Sequence, residues 1–330
     1  MSGTLSLRPV DPRTWDDVVA AHPAATPFHL AAFLTTAGRC LGQRTHLTLA
    51  EARGEVLGAV PLLVRSQGPF ALVNHRAPFP YLGPLLREGM PPDAVLPAVR
   101  RHLRPRQVLH FGVQSVAPFC RPTGAGWTLE SDYESSVVPI EGRTDEDLLR
   151  LMTSHRRNRV RKAMREGLRV EPATREEITE LLPRWSGETF RRQGLPARWP
   201  DGAHAAFYDA LVPSGTAVAS AVRRDGEPLL VALDLVHGRR AVGWEVGISE
   251  VGREAGATLV LYYELMRLAR DAGAAELDML GSTNEGMIHF KRSMGAQERP
   301  RGVARWTSPL LPLGKQLVPQ RLLQPLGGSR

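Results

Sequence analysis

The sequence is poor in the residues that mark several common protein classes. Its 330 residues include two cysteines, Cys40 and Cys120, which are too few for a disulfide framework or a zinc site, so we expect no bound metal. No apolar run approaches the ~20 residues that a transmembrane helix needs. Residues 1–9 lack the basic and apolar segments of a signal peptide. These absences predict a cytoplasmic protein without a membrane span.

Lysine is also scarce, although the chain is basic. Three of the 42 basic residues are lysines (Lys162, Lys291 and Lys315), and Ala, Gly and Pro are abundant, as a GC-rich genome would give. A single arginine therefore carries little information, whereas each lysine carries more. The formal charge of +8 nevertheless predicts an anionic partner.

Two stretches of the chain have the pattern of a β-hairpin. Residues 45–64 and 217–236 are each two β-rich runs joined by a glycine turn, and both turns continue as Gly-Glu-x-Leu. The similarity is explained either by an internal duplication or by chance. Further patterns predict helices over 145–167 and 258–272 and a short strand over 275–280. This order predicts an α/β fold with a mixed sheet.

The segment 154–169 holds seven basic residues and a single acid, Glu166. Helical spacing places His155, Arg156 and Arg159 on the same side as the apolar residue Val160. Polar side chains on an inward stripe must find partners or line a cleft. Two interpretations stay open: the wall of an anion-binding cleft, or a solvated face with a helix break near Ser154.

The same segment carries a resemblance to a known family. Its Arg-Arg-Asn-x-x-Arg-Lys-Ala run, at 156–163, resembles a stretch of the FemABX peptidyltransferases and their acetyltransferase relatives in the GNAT superfamily. The Phe-Lys-x-x-x-Gly-Ala run at 290–296 and the strand with a glycine turn at 278–282 are similar to further motifs of that family. Weaker signatures lie near Pro27-Phe28 and at 80–85. The resemblance covers residues 25 to 307.

The resemblance implies tandem GNAT-like domains, each a mixed β-sheet flanked by helices. It implies an N-terminal domain over 1–140 and a C-terminal domain over 141–307, with the tail 308–330 either separate or returning to the first domain. It also implies N-acyl transfer to an amine without a tightly bound cofactor. We expect aminoacyl-tRNA as the donor and a small-molecule or peptide amine as the acceptor. The alternatives are an acyl-CoA-dependent N-acyltransferase and a non-catalytic nucleic-acid-binding module.

Three residues are the main catalytic candidates. By the resemblance, Lys291 lies near the reacting ester of the donor, where an ammonium would stabilise negative charge. Asp234 and Glu245 lie on strands bordered by apolar residues, where burial raises the pKa of a carboxyl group towards useful basicity. Asp278 and His289 are further candidates for the proton acceptor. Each of these side chains also has a purely structural interpretation.

The remaining candidates bind the substrates. A partial match to the GNAT loop Arg/Gln-x-x-Gly-x-Gly/Ala begins at Arg253 and ends on Thr258, at the start of a helix, where backbone N–H groups bind anions. Arg192 resembles an acceptor-binding position of the Fem ligases, but residues 195–200 depart from their pattern, which favours a small amine. Trp244 is a candidate for stacking on the acceptor. The predicted donor-binding residues are Arg156, Arg157, Arg161, Lys162, Arg253, Gly256, Thr258 and Phe290.

Overall fold

The computed structural model describes residues 4–75, 77–116, 118, 120–122, 124–130, 134–282 and 284–311. Within these residues no helix combines the length and apolarity needed to cross a membrane. The chain divides into two compact units, one of residues before 134 together with a segment from Pro300 onward, the other of residues from Glu134 to Arg299. Of the predicted tail 308–330, residues from 312 onward lie outside the described residues.

The strands alternate with helices along most of the chain. The strands are β1 (Ser6–Pro9), β2 (Arg44–Ala52), β3 (Glu55–Gln67), β4 (Phe70–Val73), β5 (Leu85–Leu86), β6 (Gln107–Ser115), β7 (Trp127–Glu130), β8 (Glu134–Pro139), β9 (Arg169–Pro172), β10 (Ala217–Arg224), β11 (Glu227–His237), β12 (Arg240–Ile248), β13 (Glu276–Asp278), β14 (Gln297–Pro300) and β15 (Gly302–Thr307). The helices are α1 (Pro12–Ala20), α2 (Ala31–Cys40), α3 (Leu96–His102), α4 (Asp145–Leu151), α5 (Ser154–Arg165), α6 (Arg175–Arg192), α7 (Ala203–Leu211), α8 (Glu250–Ala255), α9 (Ala257–Asp271) and α10 (Glu285–Ser293), with short 3₁₀ turns at Pro27–His29 and Pro92–Val95.

The first unit contains a mixed sheet with the strand order β1-β2-β3-β4-β6-β15-β7, and β5 adds to β3. Its strands are antiparallel except for the parallel pair β4–β6. Helix α3 covers an apolar cluster on this sheet that includes Val60, Leu62, Val99 and Phe111. Strand β15, which the sequence analysis assigned to the second domain, pairs with β6 here because its backbone completes the ladder beside that strand.

The second unit contains a mixed sheet with the strand order β14-β8-β13-β12-β11-β10-β9. Its parallel pair is β12–β13, and the predicted hairpin at 217–236 is β10–β11. Helix α9 lies on one face of the sheet, where its Val260 packs in one cluster with Leu230 and Ala232. This unit begins at Glu134 rather than at residue 141, because β8 pairs with β13 inside the sheet. The prediction of an α/β fold with mixed sheets and flanking helices is confirmed.

The basic segment is a helix of its own. The predicted helix from 145 to 167 is interrupted at Met152, whose extended backbone ends α4 before Thr153 leads into α5. Met152 is buried in the core, and the N–H of Thr153 donates to the carbonyl of Ser293 at 3.0 Å. The break therefore buries an apolar side chain and ties the start of α5 to the end of α10.

Candidate active site

The parallel strands β12 and β13 separate after a short ladder. They pair from Arg240 with Glu276 to Val242 with Asp278, after which β13 ends while β12 continues to Ile248. The turn after β13 passes through Leu280, whose φ of 61° places it in the left-handed region. The outer part of β12 therefore has an open edge. We call the opening between the two strands the fork of the second unit.

A β-bulge lies at the base of this fork. Asp234 of β11 stands opposite two residues of β12, Gly243 and Trp244, and the Trp244 N–H donates to the Asp234 carboxylate at 3.1 Å. A Cβ on Gly243 would lie 2.9 Å from a ring carbon of Tyr262, so only glycine allows α9 to approach this closely. Bulges of this kind redirect side chains beside active sites. Sequence reasoning missed both Gly243 and Tyr262, because each reads as part of an apolar segment.

Asp234 is a buried acid with an unused oxygen. Its side chain is fully buried, and its second oxygen has no hydrogen-bond partner among the described residues. Burial, supplemented by the nearby charge of Glu245, raises the pKa of Asp234 to about 7 against the hydrogen bond from Trp244. Burial and the charge of Asp234 also raise the pKa of Tyr262. A carboxylate with a pKa near neutrality accepts protons efficiently at neutral pH.

Arg156 lies on the inward side of α5, as the helical spacing predicts. Its Nε donates to the Ser293 hydroxyl at 2.9 Å, and its guanidinium lies 5.4 Å from the centroid of the Phe290 ring. Phe290 in turn contacts Tyr262, with ring centroids 5.9 Å apart. Burial lowers the pKa of Arg156, and so does its neighbour Arg159. A cation and two aromatic rings therefore connect α5 to the residues around Asp234.

Lys291 is buried, and its ammonium is bound by the protein's own backbone. Its side chain is 5% exposed, and its ammonium donates to the carbonyls of Leu280 at 2.8 Å and Gly281 at 3.2 Å. The Asp278 carboxylate holds the same turn from the other side, accepting from the Ser135 hydroxyl at 2.6 Å and from the Leu280 N–H at 2.7 Å. Both side chains fix the end of β13, which is one border of the fork.

An anion-binding arrangement lies at the start of α9. Gly256 has a φ of 80° and ends α8 where α9 begins. The guanidinium of Arg159 lies 3.7 Å from the point that a Cβ on Gly256 would occupy. Arg253 and Thr258 flank this point and are half-buried. The N–H groups of a first helical turn have no partner inside the helix, so a cation beside them makes a site for phosphate.

The other basic residues of α5 point elsewhere. Arg161 is exposed and binds both carboxylate oxygens of Glu146, at 3.0 and 2.9 Å, and Lys162 lies 3.6 Å from Glu166. His155, predicted to face inward, is exposed, because the helix begins only one residue before it. The structure thus brings Arg156 and Arg159 to the inward side, while Arg161 and Lys162 form surface ion pairs.

Glu245 lies on the opposite face of the sheet from Asp234. Val246 and Ile248 of the same strand pack towards α9, whereas Glu245 lines a pocket between α6 and α7. It is 3% exposed and accepts hydrogen bonds of 3.1 Å from Arg198 and from Trp199. The sheet therefore separates the two predicted proton acceptors.

The other predicted residues take less direct positions. Trp244 is buried, and its ring lies 4.8 Å from that of Phe207 and 5.9 Å from that of Trp199. Arg192 is exposed at the end of α6, where it donates to Thr189 at 3.3 Å. His289 is exposed on α10. Core packing accounts for the position of Trp244.

Comparisons with known proteins agree with this arrangement. Residues 154–292 match the acetyltransferase (GNAT) domain family. The crystal structure of FemX is similar at 18% sequence identity, covering 94% of this chain and 99% of FemX with a TM-score of 0.74. The C-terminal domain of a putative lysylphosphatidylglycerol synthetase from Agrobacterium fabrum is similar at 16% identity, over 96% of this chain and 97% of that domain, with a TM-score of 0.58.

A tandem GNAT protein from the clavulanic acid biosynthesis pathway is similar at 15% identity, over 91% of this chain and 97% of its own, with a TM-score of 0.55. No curated protein matches the sequence. The fold is that of FemX-like tandem GNAT proteins. With a GNAT domain over 154–292, the chain is an acyltransferase.

Proposed function

We propose that this protein forms an amide bond by moving an aminoacyl group from aminoacyl-tRNA to the amine of a small molecule or peptide. The observation that carries the proposal is Asp234, a buried carboxylate with one unused oxygen at the base of the fork in the GNAT domain. A buried polar atom without a partner costs about 1–3 kcal/mol. A substrate that enters the fork and donates a hydrogen bond relieves that cost.

Each step of the reaction has a candidate group at the fork. The acceptor amine attacks the ester carbonyl of the donor, and its proton passes to Asp234 as the new C–N bond forms. The ester C–O bond then breaks, and the ribose oxygen leaves with the proton that Asp234 received. We assign Lys291 a positioning role, since its ammonium fastens the turn that borders the fork. Arg156, on the inward side of α5, is our candidate for stabilising negative charge on the donor.

The donor-binding surface consists of Arg156, Arg159 and the start of α9 at Gly256. Arg159 beside a helix N-terminus, with Arg156 on the same side of α5, suits the phosphates of a nucleic-acid end. The family resemblance and the likeness to FemX and to a protein named for synthesising lysylphosphatidylglycerol support an aminoacyl donor.

An acyl-CoA donor is the second candidate, and the Gly256 site favours it. A single helix terminus with Arg159 beside it is large enough for one pyrophosphate, and Arg161 and Lys162 are already paired with acids. The name given to the similar structure from the clavulanic acid biosynthesis pathway mentions AcCoA, as absent from that structure.

Donor consumption by the pure protein with a generic amine separates the two candidates. We expect aminoacyl-tRNA to be consumed and acyl-CoA to be left.

Binding of deacylated tRNA should weaken with salt, with a slope of log K against log salt near −0.7 for each single-strand phosphate contacted. Four contacts give roughly a fiftyfold loss between about 50 and about 200 mM salt. Tight CoA binding without tRNA binding at low salt would overturn the aminoacyl-tRNA proposal and leave acyl transfer in place.

A further inference from the structure

The face of the second sheet opposite α9 carries a pocket that the donor site does not use. It has a volume of about 250 Å³ and lies between α6, α7 and the segment 197–202 that connects them. This is smaller than the ~300–1,000 Å³ typical of pockets for drug-sized ligands, so it suits one end of a molecule. Its role as an acceptor subsite rests on the proposed function.

The carboxylate of Glu245 forms part of the pocket wall, and the guanidinium of Arg198 is paired with it. Glu245 accepts from Arg198 Nη1 and from Trp199 Nε1 on the same oxygen, each at 3.1 Å. The Arg198 guanidinium also lies 5.3 Å from the centroid of the Phe190 ring. The Glu245 side chain is 4% exposed, whereas that of Arg198 is 36% exposed. The carboxylate is therefore fixed in the interior, while its partner sits on a connecting segment in contact with solvent.

His204 is a second polar group in this pocket. It lines the same pocket and is 8% exposed, and its Nε2 has no hydrogen-bond partner among the described residues. Burial lowers the pKa of His204, against the opposing effect of Glu245, so the ring is neutral at neutral pH. A neutral imidazole nitrogen can accept a hydrogen bond from a cationic ligand.

We infer that this pocket binds a cationic end group of the acyl acceptor, which displaces the Arg198 guanidinium from Glu245. The carboxylate balances the charge, His204 accepts a further hydrogen bond, and the ring of Phe190 provides an aromatic face for the cation. Arg198 shows by its own geometry that a guanidinium fits. A neutral or anionic end group would leave the buried carboxylate without a counter-charge, which is costly.

Calorimetric titration of the full chain, without any donor, tests this inference. The probes are agmatine, which carries a guanidinium, and N-carbamoylputrescine, in which an uncharged urea of the same shape replaces it. We expect agmatine to bind at least about tenfold more tightly than the urea. Putrescine, with an ammonium at the same end, shows whether the pocket prefers the planar group. Equal binding of agmatine and the urea, or no binding of agmatine, overturns the inference.

Two variants place the binding in this pocket. Arg198→Ala removes the internal competitor and should tighten agmatine binding by about fivefold or more, whereas Glu245→Gln should abolish the preference over the urea. Arg184→Ala, on the exposed side of α6, is the matched control and should change neither. If Arg198→Ala folds normally by circular dichroism and binds agmatine more weakly, Arg198 is structural and the inference is wrong. Because no donor is present, failure of aminoacyl transfer leaves this result unaffected.

Discussion

The two units of this protein have the same strand order and different chemistry at the equivalent point. β1-β2-β3-β4-β6-β15-β7 in the first corresponds position by position to β9-β10-β11-β12-β13-β8-β14 in the second. Both hairpins even contain the same bulge, in which Leu57 and Leu229, each three residues after the turn glycine, are left without a partner. The Gly-Glu-x-Leu similarity in the sequence is therefore part of a shared architecture.

In this correspondence Asp234 is equivalent to Leu62, and Val242 is equivalent to Asn74. In the first unit Leu62 is buried and apolar, and the Asn74 side chain bonds the backbone of β3 at Leu63, 2.8 Å, and at Pro61, 3.1 Å. In the second unit the Asp234 carboxylate instead accepts from the backbone of β12, and its second oxygen has no partner among the residues that the structure describes. The equivalent point of the first unit therefore has a hydrogen-bonded amide, whereas the fork of the second unit holds a buried acid with an unsatisfied oxygen.

The difference shows how a duplicated fold can separate stability from function. A polar group that is fully hydrogen-bonded stabilises its unit, whereas a buried acid without a full set of partners costs stability and is typical of functional sites. We therefore expect a substitution at Asp234 to raise stability and lower turnover, and a substitution at Asn74 to lower stability and spare turnover.

The largest effect should come from Asp234→Asn. Losing a general base lowers kcat by about 10²–10⁴-fold. The folded-state pKa is raised from 3.8 to about 7, so the acid costs stability increasingly as pH rises through that window, fully above it. Asp234→Asn should therefore raise the free energy of unfolding at pH 8, measured by urea titration. Asn74→Ala is the contrasting variant, and it should lose about 1–3 kcal/mol of stability while sparing turnover.

Lys291→Ala should be the next most damaging change. Without its bonds to the carbonyls of Leu280 and Gly281, the turn that borders the fork shifts, and misplacement of this kind costs about 10²-fold in kcat. A positioning role predicts a lower melting temperature together with the lower kcat. Unchanged melting with a hundredfold slower reaction would restore the direct catalytic role expected from the motif. The exposed Lys162→Ala should leave both unchanged.

The inward and outward cations of α5 should differ more moderately. Arg156→Ala with Arg159→Ala should weaken donor binding by about 10–100-fold, because these side chains face Phe290 and Gly256. Arg161→Ala with Lys162→Ala removes the same formal charge from surface ion pairs and should change donor affinity by less than about threefold. Equal losses in the two double variants, measured by fluorescence titration, would show that only net charge matters.

The smallest effect should come from Gly256→Ala. A left-handed φ of 80° costs a non-glycine residue about 1–2 kcal/mol, and the new methyl group lies beside Arg159 where the donor phosphate is expected. Gly273→Ala, with a φ of 85° at the other end of α9 and open space around it, carries the same strain away from the site. Both should lose similar stability, and only Gly256→Ala should raise the donor KM.

Local patterns were enough to predict much of this fold. The glycine turns predicted both hairpins, and helical spacing predicted that Arg156 and Arg159 face inward. A helix break near Ser154 was one of the two open interpretations, but the sequence could not decide for it, because the break at Met152 depends on a tertiary bond from Thr153 to Ser293. The separation of Asp234 from Glu245 was not predictable either. A bulge at Gly243 and Trp244 changes the alternation of side chains, and nothing in an almost continuous apolar run marks it.

The pH dependence of acyl transfer tests the central claim most directly. Single-turnover rates from about pH 5 to about pH 9, with a hydrazide acceptor whose amine stays uncharged over that range, report the essential base of the enzyme. We expect the wild-type rate to rise with an apparent pKa near 7, because burial raises the pKa of Asp234 to about 7. The Asp234→Asn enzyme should be slow, and its rate should not depend on pH. An Asp234→Asn enzyme that keeps the wild-type profile would contradict the placement of the active site at this fork.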